Sequence, residues 1–166
     1  MAHLAQKLFI EKVKKKFPRK FHQQRVVDFG SLDINGSNRE FFTDCDYTGV
    51  DISQGKNVDV VSKCHEFVTD EKFDTIITTE MLEHDMYWKE SLANMLNLLR
   101  VGGLLVITCA TTGRREHGTP RSDKGYSSPF TSAIPEWANY YRNLTEQDVE
   151  SVLNCNENFS NYEHSI

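Results

Sequence analysis

Residues 25–42 read RVVDFGSLDINGSNREFF. A β-branched apolar run stops at Asp28, turns at Gly30 and leads into residues able to open a helix. A run of this kind, bounded by a turn, reads as a buried strand. Gly30 then lets the chain turn sharply and brings backbone N–H groups toward a ligand with no Cβ in the way. Working outward, YTGVDI (47–52), NVDVV (57–61), FDTIITTE (73–80) and LLVITCA (104–110) are runs of the same type. The last is long and apolar enough for a central strand buried on both faces. Between the last two runs, Trp88, Leu92, Met95, Leu96 and Leu99 fall at helical spacing, and Gly102 and Gly103 break the helix. Strands alternating with helical segments predict a doubly wound α/β fold. Its sheet is mostly parallel, with helices on both faces and ligands at the carboxyl ends of the strands.

The 166 residues suit a single domain. We divide it into a basic N-terminal helix (1–22), a core (24–110), a stretch without periodicity (111–143) and a C-terminal helix and strand (144–166). In the last segment Thr145 is the expected N-cap of a helix, with Asp148 a poor substitute for a capping-box Glu or Gln. FSNYEHSI (159–166) is expected to begin a sixth strand. No apolar run approaches the roughly 20 residues of a bilayer-spanning helix, and lysines interrupt the N-terminus too often for a secretory leader. The expectation is a cytoplasmic protein. Cys45, Cys64, Cys109 and Cys155 form no C-x-x-C pair, so they read as reduced thiols in the core.

Although the whole chain carries a net charge of −5, residues 1–25 hold eight lysines and arginines against Glu11 alone. Leu4, Leu8, Val13 and Phe17 form an apolar stripe that the lysines largely avoid. The basic end therefore reads as the solvated face of a helix, and not as a nucleic-acid surface, since no aromatic interleaving accompanies the charge.

A second acid, Asp51, lies 23 residues beyond Asp28 at the end of its own apolar run, where a doubly wound fold can present a carboxylate to ribose hydroxyls. Taken together, VVDFGS, YTGVDIS, FDTIITTEMLEH and LLRVGGLLVIT stand in the order and spacing of a class I S-adenosylmethionine-dependent methyltransferase, which residues 24–110 resemble. The resemblance implies a Rossmann-like sheet. It also implies that Asp28, Gly30 and Ser31 flank the methionine moiety and Asp51 takes the ribose hydroxyls. Ile52 would then pack on adenine, Cys64 and His65 would line its edge, and Thr79 would lie under the sulfonium. Family sheets close with a sixth strand and an antiparallel seventh, for which this sequence has no residues left. An open sheet edge of that kind invites self-association. The glycines after Gly30 depart from the family's usual pattern, but they also fail the G-x-G-x-x-G of a dinucleotide site, leaving an NAD-dependent oxidoreductase as the weaker alternative. A nucleoside-binding module without catalysis is the other.

Glu80, Glu83 and His84 are spaced so as to share one helical face if the segment after the fourth strand turns helical. EMLEH resembles the same stretch of small-molecule O-methyltransferases such as those of ubiquinone biosynthesis. There the two acids and the histidine are linked to a divalent metal such as Mg²⁺. The residues themselves leave three roles open: metal ligands, a general base at His84, or caps of the turn. From 113 to 141 the chain reads as a lid. Arg114, Arg115, Arg121 and Lys124 are placed to hold an anionic acceptor, and Trp137, Tyr140 and Tyr141 to stack on an aromatic or sugar face. A small-molecule or saccharide acceptor is expected.

Overall fold

In the computed structural model of the chain, residues 4–34, 36–122, 131 and 134–165 are described. Within them one five-stranded sheet is built from β1 (Arg25–Phe29), β2 (Asp46–Asp51), β3 (Val60–Val61), β4 (Phe73–Thr79) and β5 (Leu99–Thr108). The strand order is β3-β2-β1-β4-β5 and every pairing is parallel. The predicted doubly wound, Rossmann-like sheet is therefore present, with five strands where the family pattern has seven.

Register sorts the core into two halves, because successive residues of a strand point to opposite faces. Val26, Ile77 and Val106 pack on one side with Ile10, Phe21 and Phe41. Val27, Phe29 and Ile76 pack on the other with Trp88, Leu92, Met95 and Leu98. The first side is covered by α1 (Leu4–Lys16), the second by α2 (Trp88–Leu98) and α3 (Glu146–Leu153). No described helix is long and apolar enough to cross a membrane.

Several expectations change. In α1 the buried residues are Gln6 and Ile10, whereas Leu4 (73% exposed) and Leu8 (54%) face outward. Of the expected stripe only Val13 meets the core, together with Phe9 and Ile10 on a face rotated from it. The helix expected after Gly30 is only a 3-10 turn, Asn38–Phe41. Here Ser37 Oγ accepts from Arg39 N and Asp33 Oδ1 accepts from Gly36 N (2.8 Å), local bonds that compete with helix formation. The β2–β3 connection likewise lacks a helix. It folds back so closely that a Cβ on Gly49 would lie 2.0 Å from Asn57 O.

At the other end of the sheet, β5 is an edge strand in which only Val106 is buried, not a central one. Gly102 and Gly103 lie inside it at a register shift, where Phe73 pairs with Leu99 and Thr75 with Leu104, and Gly102 takes φ +75°. Residues 159–165 contain no strand; a short helix, α4 (Cys155–Asn158), precedes them. By contrast, Asp148 does complete a capping box. Its carboxylate accepts from Thr145 N (2.9 Å) while Thr145 Oγ1 accepts from Asp148 N (3.1 Å).

Candidate active site

A cleft opens at the carboxyl ends of β1 and β4, lined by Asp28, Gly30, Ser31, Asn38, Thr79 and Glu80. Gly30 adopts φ +84°, which favours glycine, and a Cβ there would meet Met81 Cβ at 2.8 Å. The turn is fastened to the neighbouring strand because Gly30 N and Ser31 N both donate to Val50 O (2.9 and 3.2 Å).

Asp28 is 1% exposed and fully engaged. Tyr47 Oη donates to its Oδ2 (2.6 Å), and Asn38 Nδ2 lies 3.2 Å from both of its oxygens and 3.1 Å from Thr79 Oγ1. Burial pushes the Asp28 carboxyl up to about 6, and the Tyr47 and Asn38 hydrogen bonds oppose that rise. Burial and the nearby Asp28 charge likewise raise the Tyr47 phenol, so it stays a donor. Ser31 Oγ is buried and has no hydrogen-bond partner among the described residues.

The other expected cofactor residues lie beside this cleft and do not line it. Asp51, at the end of β2, accepts from Leu32 N (3.1 Å) and Ser53 N (3.3 Å), and burial raises its pKa against those bonds. Ile52 follows it, half-buried. Cys64 belongs to the core against α2, its thiol 3.8 Å from Ser91 O. His65 is half-buried, with its ring 4.3 Å from Tyr87 and 6.4 Å from Trp137.

Beyond β4 the chain departs from the expected helix. Glu80 takes φ +54°, and its N–H donates to Thr108 O (2.8 Å) while its Oε1 accepts from Thr108 Oγ1 (3.1 Å). The 3-10 turn Leu82–His84 starts only afterwards. Glu80, Glu83 and His84 therefore do not share a helical face, and the three do not form one ligand set.

The group that does converge is Glu83, His84 and His117, whose nearest ligand atoms all lie within 4.8 Å of one another. Glu83 is 0% exposed, and neither of its oxygens has a partner in hydrogen-bond geometry among the described residues. The backbone N–H groups of Glu83 and Ala110 approach the carboxyl and oppose the rise in its pKa. Burial, with Glu80 beside it, pushes the Glu83 carboxyl up to about 8. Burial and the adjacent His117 hold His84 down to about 4.

Three segments hold this group together. Arg142 N donates to Glu83 O (2.9 Å), Leu144 N to Ala110 O (2.9 Å) and Asn143 Nδ2 to Arg114 O (2.7 Å). The Tyr141 ring meets the edges of His84 (5.5 Å) and His117 (5.1 Å). Of the residues assigned to an anionic acceptor, Arg121 is paired with Glu116 (2.6 Å) and Arg115 is exposed; Lys124 lies outside the described residues. Trp137 is buried beside Tyr87 (5.9 Å), and its Nε1 has no partner among the described residues.

Sequence reasoning missed Asn38, Tyr47 and His117. Tyr47 carried a faint signal, as its position in β2 places it on the same face as Asp28. Nothing in the spacing marked the other two.

Comparison with known proteins agrees with this architecture. The model of a methyltransferase domain matches residues 1–146. Among solved structures, the 1,6-didemethyltoxoflavin-N1-methyltransferase of Burkholderia thailandensis, bound to 1,6-didemethyltoxoflavin and S-adenosylhomocysteine, is similar with a TM-score of 0.56. It shares 16% identity over 87% of this chain and 63% of its own. The N-methyltransferase NodS of Bradyrhizobium japonicum WM9 gives a TM-score of 0.51 at 15% identity, over 88% and 81%. The chain spans about half the length of some of the structures it matches, such as 46% of an S-adenosylmethionine-dependent methyltransferase from Clostridium acetobutylicum. No curated protein matches it in sequence. With a methyltransferase domain spanning most of its length on a parallel, Rossmann-like sheet, the chain belongs to the class I S-adenosylmethionine-dependent methyltransferases.

Proposed function

We propose that the chain transfers a methyl group from S-adenosylmethionine to a small-molecule or saccharide acceptor, at oxygen. The observation that carries this reading is the adjacency of two sites along one short stretch. Thr79 and Glu80 border the cleft at the end of β4, and the Glu83–His84 turn follows within four residues. S-adenosylmethionine supplies an already activated electrophilic methyl group, so the protein's work is alignment and proton handling.

In this assignment Gly30, Ser31 and Thr79 border the methionine and sulfonium, with the buried Ser31 hydroxyl free to meet a polar group. Asp28 acts one step back, fixing Asn38 and Tyr47. Asp51 takes the ribose hydroxyls, Ile52 and His65 flank the adenine, and Cys64 packs behind them. An acceptor hydroxyl must lose a proton as it is methylated. His84, kept neutral by its surroundings, stands beside Glu83 on the acceptor side, where its lone pair can take that proton or, with an ion bound, hold the ion instead. Residues 111–122 and 134–143 close the acceptor side.

Two measurements test the reading. At a cofactor concentration 100-fold above its dissociation constant, S-adenosylmethionine should stabilise the fold by about 2.7 kcal/mol. A panel of hydroxylated and amine acceptors should then release S-adenosylhomocysteine in an acceptor-dependent way. Stabilisation by NAD but not by S-adenosylmethionine overturns the assignment. Turnover on amines alone removes oxygen as the target, and cofactor binding without turnover on any acceptor favours a binding module.

A further inference from the structure

We infer that Glu83, His84 and His117 form a binding site for one divalent transition-metal ion of the zinc type, with an open position facing the acceptor side. Two observations lead there independently of the cluster's mere existence. The first is the Glu83 carboxylate, 0% exposed, with neither oxygen hydrogen-bonded among the described residues. A buried carboxyl with no well-formed hydrogen bond is costly as the anion unless a cation meets it. Asp28, at the same depth, shows how this chain satisfies a carboxylate when no ion is intended.

The second observation is the tautomer of His117. Its Nδ1 lies 3.1 Å from Arg115 O, and a carbonyl oxygen can only accept, so Nδ1 carries the proton. In the neutral ring the lone pair is then on Nε2, which faces Glu83 Oε1 at 3.9 Å. Two electron-pair donors thus confront each other across a gap too long for a hydrogen bond. An N–H···O=C bond behind a ring whose other nitrogen points at the ion is the usual support of a metal-ligating histidine. His84 Nδ1, buried and without a partner among the described residues, adds a further donor atom. The Tyr141 ring braces both imidazoles.

Size and chemistry select the ion. Ligand atoms about 2.1 Å from a tetrahedral zinc lie roughly 3.4 Å apart. The 3.9 Å approach of Glu83 and His117 needs a contraction of about half an ångström, and the other pairs, within 4.8 Å, up to about 1.4 Å, movement that falls chiefly to the half-exposed His117 on a segment without regular structure. Two imidazoles and one carboxylate suit zinc, cobalt or iron(II), whereas magnesium prefers an oxygen shell. Three protein ligands leave a position open for a water or an acceptor hydroxyl, as in catalytic zinc sites. Binding of the ion does not depend on the methyl-transfer reading; only its service to an acceptor hydroxyl does.

The test is a calorimetric titration of metal-stripped full-length protein with Zn²⁺, followed by a Co²⁺ titration read by visible absorption. We expect one ion per chain and a cobalt spectrum of low coordination number. Both should be lost in His117→Ala and in Glu83→Gln, while His164→Ala, a surface histidine paired with Glu146, should retain them. Because Glu83 lies in the core, the half-exposed His117 variant is the decisive one, and a normal thermal transition certifies its fold. Absence of stoichiometric binding, or binding that survives His117→Ala, overturns the site. S-adenosylmethionine affinity measured on the same samples reads the methyltransferase assignment separately. Loss of that affinity in the unmodified protein would sink the functional reading and leave the ion site standing.

Discussion

Asp28 and Glu83 are two carboxylates at nearly the same depth, 1% and 0% exposed, each just beyond or within the carboxyl end of a parallel strand. They are treated in opposite ways. Asp28 receives Tyr47 and Asn38, so its oxygens are used up inside the fold. Glu83 receives no hydrogen bond among the described residues and faces two histidines. The contrast teaches that burial alone does not mark a functional acid. A satisfied buried carboxylate positions its neighbours, whereas an unsatisfied one reserves its bonding capacity for something that comes and goes.

The largest effect expected from this contrast is on turnover. Glu83→Gln or His84→Ala should lower methyl transfer by about 10² to 10⁴-fold, with thermal stability nearly unchanged for Glu83→Gln, because burial already holds that carboxyl largely protonated near neutrality and the amide matches it in size. A steady-state assay beside a thermal melt reads both. A large fall in stability with activity intact would reverse the comparison.

Next in size is a pH effect at Asp28. Its folded value, about 6, is raised above the ordinary 3.8, so its favourable contribution is fully present below pH 3.8 and is lost as pH rises to about 6. That interval corresponds to on the order of 3 kcal/mol. Denaturant unfolding between pH 4 and 7 should show this slope in the wild type, after subtraction of the same curve for Asp28→Asn. Identical curves would mean that Asp28 titrates normally.

Tyr47→Phe should cost about 1.5–3 kcal/mol, the range for a hydrogen bond to a charged group. Equilibrium unfolding at neutral pH measures it. The smallest effect is at Thr108→Val, which frees Glu80 at a cost of about 1 kcal/mol. It should leave Zn²⁺ affinity unaltered, because Glu80 is not in the ligand set; an altered affinity would bring Glu80 back.

How much of this could be read beforehand depended on how local each feature was. The five apolar runs predicted β1 to β5, and a parallel sheet delivers their ends to one edge, where Asp28, Gly30, Ser31 and Thr79 of the expected cofactor residues meet Glu80, which was expected on the acceptor side. β3 shrank to two residues because Val60 and Val61, apolar in sequence, sit exposed at the sheet's edge. The face of α1 was misjudged because it depends on what Ile10 meets, not on spacing alone. The EMLEH helix failed on one backbone feature, the left-handed Glu80, which spacing cannot reveal. Asn38 and His117 were illegible for a different reason. Asn38 reaches Asp28 across 10 residues and Thr79 across 41, and His117 meets Glu83 only after β5 and the chain before α3 close around them.

The most direct test of the account, which separates a cofactor side from an acceptor side, is calorimetric titration of S-adenosylmethionine into the wild type, Asp51→Ala and Glu83→Gln. The account predicts one cofactor per chain, clearly weakened binding in Asp51→Ala, and wild-type affinity in Glu83→Gln. Equal loss of affinity in both variants, or undiminished binding in Asp51→Ala, would contradict it.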